Sequence, residues 1–142
     1  MDHIEAMKAS KMHVPNPPPS QLLNLETFVE FDSTIDEDQH NLMVIKFKGC
    51  GGTSVTDAVG RIMQKIVTNE LGTKISLKGM GKNNFNFSTT NMMKCIKEGC
   101  MLLSGIDVTE QKVEHAIGEW LRHSGDRLKA ELEKKEKQKK HK

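Results

Sequence analysis

The chain has 142 residues, of which 36% are hydrophobic and 28% charged, and its formal net charge is +2. This length is typical of one compact domain with tails, and five Phe, one Trp and no Tyr are too few for a surface on which nucleic-acid bases stack. No apolar run exceeds four residues and no basic-then-apolar leader opens the sequence, so we expect an intracellular protein without a membrane span.

The charges are distributed in blocks along the chain. Residues 21–57 carry seven acids and two bases, a net charge of −5, whereas residues 61–97 carry seven bases and one acid, a net charge of +6. Basic side chains contact phosphates without reading base sequence. We therefore take the seven cations of the second stretch, here called the basic block, as candidate nucleic-acid or anion-binding residues. They are Arg61, Lys65, Lys74, Lys78, Lys82, Lys94 and Lys97.

Three regions follow from the pattern of prolines and apolar residues. Residues 1–19 end in a run of prolines that stays extended, so they predict a flexible N-terminal segment. Residues 20–125 hold the helical periodicity and predict the folded domain. Residues 126–142 form a charged, basic C-terminal tail, which we expect to be a fraying helix or disordered.

Two helices are predicted before the glycine cluster. The first starts with Ser20 as its N-cap and runs to about Phe31. The second starts at a capping box formed by Thr34 and Glu37. Residues 42–45 are all apolar and could also form a buried strand, but a lone strand has no partner, so a helix is favoured.

A glycine cluster at residues 49–52 leads into the strongest amphipathic pattern of the chain. Ser54 and Asp57 predict the start of the third helix, whose apolar stripe continues to Leu71, with Gly72 as its C-cap. Free backbone N–H groups before such a helix could hold an anion. The sequence contains neither a Walker loop nor a Gly-x-Gly-x-x-Gly run, so a glycine cap and tight turn are favoured.

A Gly/Lys-rich loop is predicted between the third and fourth helices. In residues 73–87, the alternation at Ile75 and Leu77 allows a short extended piece. Phe85 and Phe87 are expected to anchor the loop on the core.

Two further helices complete the predicted domain. The fourth begins at Ser88 or Thr89 and ends at residues 104–105, and the fifth begins with a capping pair at residues 107–110. Trp120 is expected to pack the fifth helix onto the others rather than to contact a ligand. The sequence thus predicts an all-α fold, a compact bundle of about five helices.

Catalytic or metal chemistry has little support in the sequence. Cys50, Cys95 and Cys100 form no Cys-x-x-Cys pair, so plain reduced thiols are favoured. The six histidines are scattered, and none is predicted near a cysteine in a nucleophile-like context or beside a second metal ligand. We therefore expect no enzyme activity, no metal and no cofactor.

Several short motifs occur in the order found in one animal protein family. They are Gly-Gly-Thr-Ser-Val at residues 51–55, Val-x-Arg-Ile-Met at 59–63, Thr-Asn-Glu-Leu at 68–71, Leu-Lys-Gly-x-Gly-Lys-x-x-Phe at 77–85, and Ile96. Over about residues 22–103 the chain resembles the family catalogued as domain of unknown function 4806. Leu77 stands where that family usually has tryptophan. The resemblance implies a part of a nuclear, chromatin-associated or transposon-derived protein, and no known chemistry.

The sequence therefore predicts a non-enzymatic, nuclear interaction domain that binds nucleic-acid backbone or a chromatin-associated partner through a basic face. The lysine run at residues 134–142 predicts a nuclear import signal or a further nucleic-acid contact, with a solubilising terminus as the plainer alternative. The alternative function is a protein–protein interaction or self-association module, in which the first helix and the acidic stretch pair with the basic block of another copy. Neither hypothesis involves a membrane or a small-molecule cofactor.

Overall fold

The computed structural model describes Leu22, residues 24–79 and residues 85–140. This part of the chain contains seven α-helices and two very short strands, so the all-α class is confirmed, with more helices than the sequence predicted. The helices are α1 (Leu25–Ser33), α2 (Glu37–Cys50), α3 (Val55–Ile66), α4 (Asn69–Gly72), α5 (Asn91–Met101), α6 (Glu110–Arg122) and α7 (Ser124–Lys140). The strands are β1 (Ile75–Ser76) and β2 (Phe85–Asn86), and a 3-10 helix follows at Phe87–Thr89.

Side-chain caps set the start of each of the first six helices. In each case a polar side chain accepts a hydrogen bond from a backbone N–H in the first turn, which satisfies a group that the helix itself leaves unpaired. The predicted cap Ser54 is confirmed. The caps predicted for the second, fourth and fifth helices were displaced by one or two residues. The caps are Asn24, Asp36, Ser54, Thr68, Thr90 and Thr109.

The predicted start of the first helix was wrong. Ser20 lies outside the described residues, and α1 begins only at Leu25. Leu22 is instead buried in extended backbone, where its N–H donates to the carbonyl of Ile66 and it forms a parallel bridge with Val67. The long-range pairing therefore overrides the local helical spacing of the leucines.

The same bridge ends α3 earlier than the apolar stripe predicted. Val67 takes extended φ and ψ, and the chain makes a separate short helix, α4, before Gly72. Gly72 is not a left-handed cap, because it lies within α4 and is not among the residues with positive φ. Its role is close packing, since an added Cβ would overlap Ser124 and lie 3.5 Å from the Trp120 ring.

The loop between α4 and α5 is attached to the core by phenylalanines, as predicted. Ile75 and Ser76 pair in parallel with Phe85 and Asn86. The ring of Phe28 in α1 lies 5.9 Å from that of Phe85 and 5.8 Å from that of Phe87. Both ring contacts attach the C-terminal end of the loop to α1.

The core lies between α3 and the helices packed on it. Residues 42–45 belong to α2, so the helix favoured by the sequence is confirmed. α2 packs along α5, and α3 packs along α6. α2 and α5 approach closely at Gly99, where an added Cβ would lie 2.8 Å from the Cβ of Phe47. The buried side chains of α5 are Met92, Met93, Cys95, Ile96 and Cys100.

The basic tail continues the fold as helix α7. Of the two alternatives, fraying helix or disorder, the structure shows helix through Lys140, and the predicted domain boundary after Gly125 falls inside it. Arg127 attaches this helix to the domain. Its guanidinium lies 3.8 Å from the Trp120 ring centroid, and it donates to the Trp120 carbonyl at 2.7 Å and to Asn69 Oδ1 at 2.9 Å. Trp120 therefore packs within the protein, as expected.

We expect Gly99→Ala to lower the free energy of unfolding by about 1–3 kcal/mol, because the new methyl group overpacks the α2–α5 contact. The control is Gly49→Ala, in the last turn of α2, where an added Cβ has nothing within 4 Å. That variant should be unchanged or more stable by up to about 1 kcal/mol. Urea unfolding followed by circular dichroism measures both, and equal effects of the two substitutions would contradict the packing argument.

Candidate functional site

The first glycine cluster forms a turn between α2 and α3. Gly51 has φ of 65° and Gly52 has φ of 156°, and an added Cβ on Gly52 would lie 2.7 Å from the backbone of Ala58. Residues with a side chain rarely adopt these angles, and the contact excludes one at Gly52. Gly51 and Gly52 therefore have a structural reason to be glycine, whereas Gly49 lies within α2 and has none.

Arg61 and Asp57 complete this turn. Arg61 Nη1 donates to the carbonyl of Cys50 at 3.2 Å, and its Nη2 lies 3.1 Å from Asp57 Oδ2. The same carboxylate accepts from the Thr53 N–H at 2.9 Å. The backbone hydrogen bond from Thr53 and the charge of Arg61 lower the pKa of Asp57. A carboxylate of the protein thus already occupies the position at which an anion would meet this turn.

Two further members of the basic block meet at a glutamate of α6. Lys97 Nζ lies 2.7 Å from one carboxylate oxygen of Glu114, and Lys78 Nζ lies 3.9 Å from the other. Lys97 also lies 3.5 Å from Glu110. The hydrogen bond between Lys97 and Glu114 lowers the pKa of Glu114 and raises the pKa of Lys97. These two lysines are therefore brought together, but around an acid that neutralises part of their charge.

The basic block does not converge on one cluster in the described part of the chain. Arg61 contacts the α2–α3 turn, while Lys78 and Lys97 contact α6. Lys65, Lys74 and Lys94 are exposed and have no ion pair with any described residue, and Lys82 lies outside the described residues. Three cations of the block thus remain available for an external anion.

His40 contacts Cys95, and the sequence analysis did not predict this contact. It placed no histidine near a cysteine in a nucleophile-like context. Cys95 Sγ lies 3.3 Å from His40 Nδ1, and His40 Nε2 lies 2.7 Å from Glu98 Oε2. The thiol can donate to Nδ1, which leaves Nε2–H to donate to the carboxylate. No local signal could reveal this contact, because His40 and Cys95 are 55 residues apart in sequence.

The surroundings of Cys95 are those of an unreactive thiol, although the connectivity resembles a Cys–His–acid nucleophile. Its side chain is fully buried, and this burial, followed by the charges of Asp32 and Glu98, raises the pKa of Cys95 to about 12. Reactive cysteines instead have lowered pKa values and access to solvent. In this structure the His40 contacts join α2 to α5.

A broad groove of about 950 Å³ lies between the first turns of α3 and α6. Several of its polar groups already have structural partners. Ser54 and Thr109 cap the two helices, and Lys112 Nζ lies 2.7 Å from Asp107. Gln111 and His115 also line the groove and are exposed.

Comparisons with known proteins gave no match to a family model, to a curated protein or to a solved structure. The resemblance to the family of unknown function therefore stays a prediction. In the described part of the chain, no helix is both long and apolar enough to cross a membrane. Within the same residues, no three His, Cys, Asp or Glu side chains are placed to share a metal ion.

We expect only Cys50 among the three thiols to react quickly with a thiol reagent under native conditions. Cys50 is partly exposed, whereas Cys95 and Cys100 are buried. Burial raises the pKa of Cys95 to about 12 and that of Cys100 to about 11, so few thiolates form near neutral pH. Mass spectrometry of the labelled protein measures this order. Cys50→Ala serves as the control and should remove the fast phase, and rapid native labelling of Cys95 would refute the assignment.

We expect Glu114→Gln to weaken the dependence of stability on acid pH. Because the folded state lowers the pKa of Glu114, the ion pair stabilises above the ordinary glutamate value of 4.5, and this stabilisation is lost as the pH falls further. The ion pair is partly exposed. At neutral pH, the free energy of unfolding of Glu114→Gln should therefore be lower than that of the wild type by less than about 1 kcal/mol. Thermal unfolding between acid and neutral pH tests this. The control is Glu110→Gln, because Glu110 is more exposed and should change the pH dependence of stability less. A larger change in this control would contradict the role given to the Glu114 ion pair.

Proposed function

We propose that this chain is a non-enzymatic, nuclear interaction domain that binds nucleic-acid backbone through the unpaired cations of its basic block. The observation that supports this proposal is the exposure of Lys65, Lys74 and Lys94 without an ion pair to any described residue. An unpaired lysine can meet a phosphate without first leaving a carboxylate. Arg61, Lys78 and Lys97 would have to exchange a protein partner for the nucleic acid, so their contribution should be smaller.

Helix α7 supports the same proposal from a second part of the chain. Arg127 attaches its first turns, and the exposed Lys134, Lys135 and Lys137 follow on the same helix. Alternating acids such as Glu133 and Glu136 reduce the net positive charge. This helix would therefore add non-specific attraction rather than a defined contact, and the lysine run would also serve as a nuclear import signal.

Binding of this kind has a characteristic dependence on salt. Each phosphate neutralised by a cation releases counterions, so the logarithm of the affinity falls with the logarithm of the salt concentration by about 0.9 per contact on duplex DNA. Sequence should matter little, because contacts to phosphates do not distinguish bases.

The second candidate function is a protein interaction without nucleic acid. The observation that favours it is the exposure of three large apolar side chains, Ile45, Met101 and Leu102, on neighbouring helices. Scattered exposed apolar residues are common, so their arrangement decides whether they form a surface.

We expect the triple variant Lys65→Gln, Lys74→Gln, Lys94→Gln to lower the salt slope of duplex DNA binding by up to about 2.7, because three phosphate contacts are lost. Fluorescence anisotropy across salt concentrations measures this with two duplexes of unrelated sequence. Lys82 is left unchanged in every variant.

The matched control removes the same charge from paired lysines, by changing Lys78, Lys97 and Lys112 to Gln. This variant should retain most of the salt dependence of duplex DNA binding that the wild type shows. If the wild type does not bind DNA at low salt, or if both triple variants lose the same slope, the assignment of the unpaired lysines is wrong.

A further inference from the structure

The exposed apolar side chains of α2 and α5 lie beside the contact between these helices. Ile45 is 66% exposed, Met101 48% and Leu102 52%. Ile45 follows Val44, whose carbonyl oxygen is at the close approach to Gly99, and Leu102 lies one turn beyond Glu98, which contacts His40. We call these three residues the α2–α5 patch.

Two lysines without an ion pair to a described residue lie near this patch. Lys48 lies three residues after Ile45, on the same side of α2, and is exposed. Lys94 lines a shallow pocket of about 310 Å³ together with Met101. Neither lysine has an ion pair with a described residue. The nearby acids are engaged, since Glu98 contacts His40 and Glu110 contacts Lys97.

The outer face of α1 has the complementary chemistry. Glu26, Val29 and Glu30 share one side of this helix, opposite the buried Phe28. Val29 is 43% exposed, and neither glutamate has an ion pair with a described residue. One apolar side chain between two carboxylates matches a patch of apolar side chains between two ammonium groups.

The α1 helix of the same molecule is held away from the patch. Asp32, near the end of α1, accepts hydrogen bonds from the backbone N–H groups of Asn91 and Met92 at the first turn of α5. Met101 and Leu102 lie at the opposite end of α5, about 16 Å away for a helix of 11 residues. Because this end of α1 is fixed at the far end of α5, we take the α1 of another molecule as the occupant of the patch.

We propose that a second copy of this chain docks the Glu26–Val29–Glu30 face of its α1 on the α2–α5 patch. The apolar residues are removed from water, and Glu26 and Glu30 pair with Lys48 and Lys94. The contact joins two different surfaces, so each copy offers one of each. It is small and rimmed by exposed charges, which makes the association weak and sensitive to salt. It requires no nucleic acid, is independent of the proposed nucleic-acid binding, and names the partner for the second candidate function.

Sedimentation velocity at low salt, without nucleic acid, tests the proposal. The wild type should show concentration-dependent association that weakens as salt is added. The variant Glu26→Lys, Glu30→Lys and the variant Lys48→Glu, Lys94→Glu should each associate at least about tenfold more weakly, because like charges then face each other. A mixture of the two variants should recover association, since each reversed surface meets an oppositely charged one.

Two single substitutions test whether association depends on the α2–α5 patch or on any exposed apolar side chain. Leu102→Asp should abolish association, whereas Leu132→Asp, on α7 at a similar exposure of 55%, should leave it unchanged. A wild type that remains a monomer at low salt overturns the proposal, as does a mixture of charge-reversed variants that does not recover association. DNA binding by a monomeric wild type would leave the proposed function intact and reject this interface alone.

Discussion

The close contact between α2 and α5 is the constraint on which the features outside the core depend. Gly99 allows the two backbones to approach, so Phe47 and Val44 pack directly against α5. This approach brings His40 to Cys95 and Glu98, while Ile45 on α2 and Leu102 at the end of α5 stay exposed. A larger residue at position 99 would overlap Phe47 and push the two helices apart at this contact.

Information within a few residues predicted much of the fold, and contacts between distant residues explain what was missed. Ser54 was identified as a cap because the hydrogen bond that it accepts comes from Asp57, three residues away. The start of α1 was wrong because Leu22 pairs with Val67, and no local pattern contains that partner. Gly72 has the sequence position of a helix cap, yet it is required by Ser124 of a helix far along the chain.

The charged residues of the candidate site also depend on contacts between distant parts of the chain. The sequence gives the net charge of a stretch, which correctly located the cations but could not show which of them face an acid. Lys97 and Lys78 meet Glu114, which lies in the acidic stretch that follows, whereas Lys65 meets no acid among the described residues. The unpaired cations, rather than the whole basic block, are therefore the basis of the proposed function, and only the folded arrangement distinguishes them.

The two proposals share one residue, and this has a thermodynamic consequence. Lys94 is an unpaired cation of the basic block and also a part of the rim of the α2–α5 patch. A phosphate at Lys94 and a carboxylate of a second copy compete for the same ammonium group. By linkage, nucleic acid that uses Lys94 must weaken self-association by the same factor by which self-association weakens nucleic-acid binding. Lys65 and Lys74 lie outside the patch, so the competition is partial, and a docked copy would still present cations to nucleic acid.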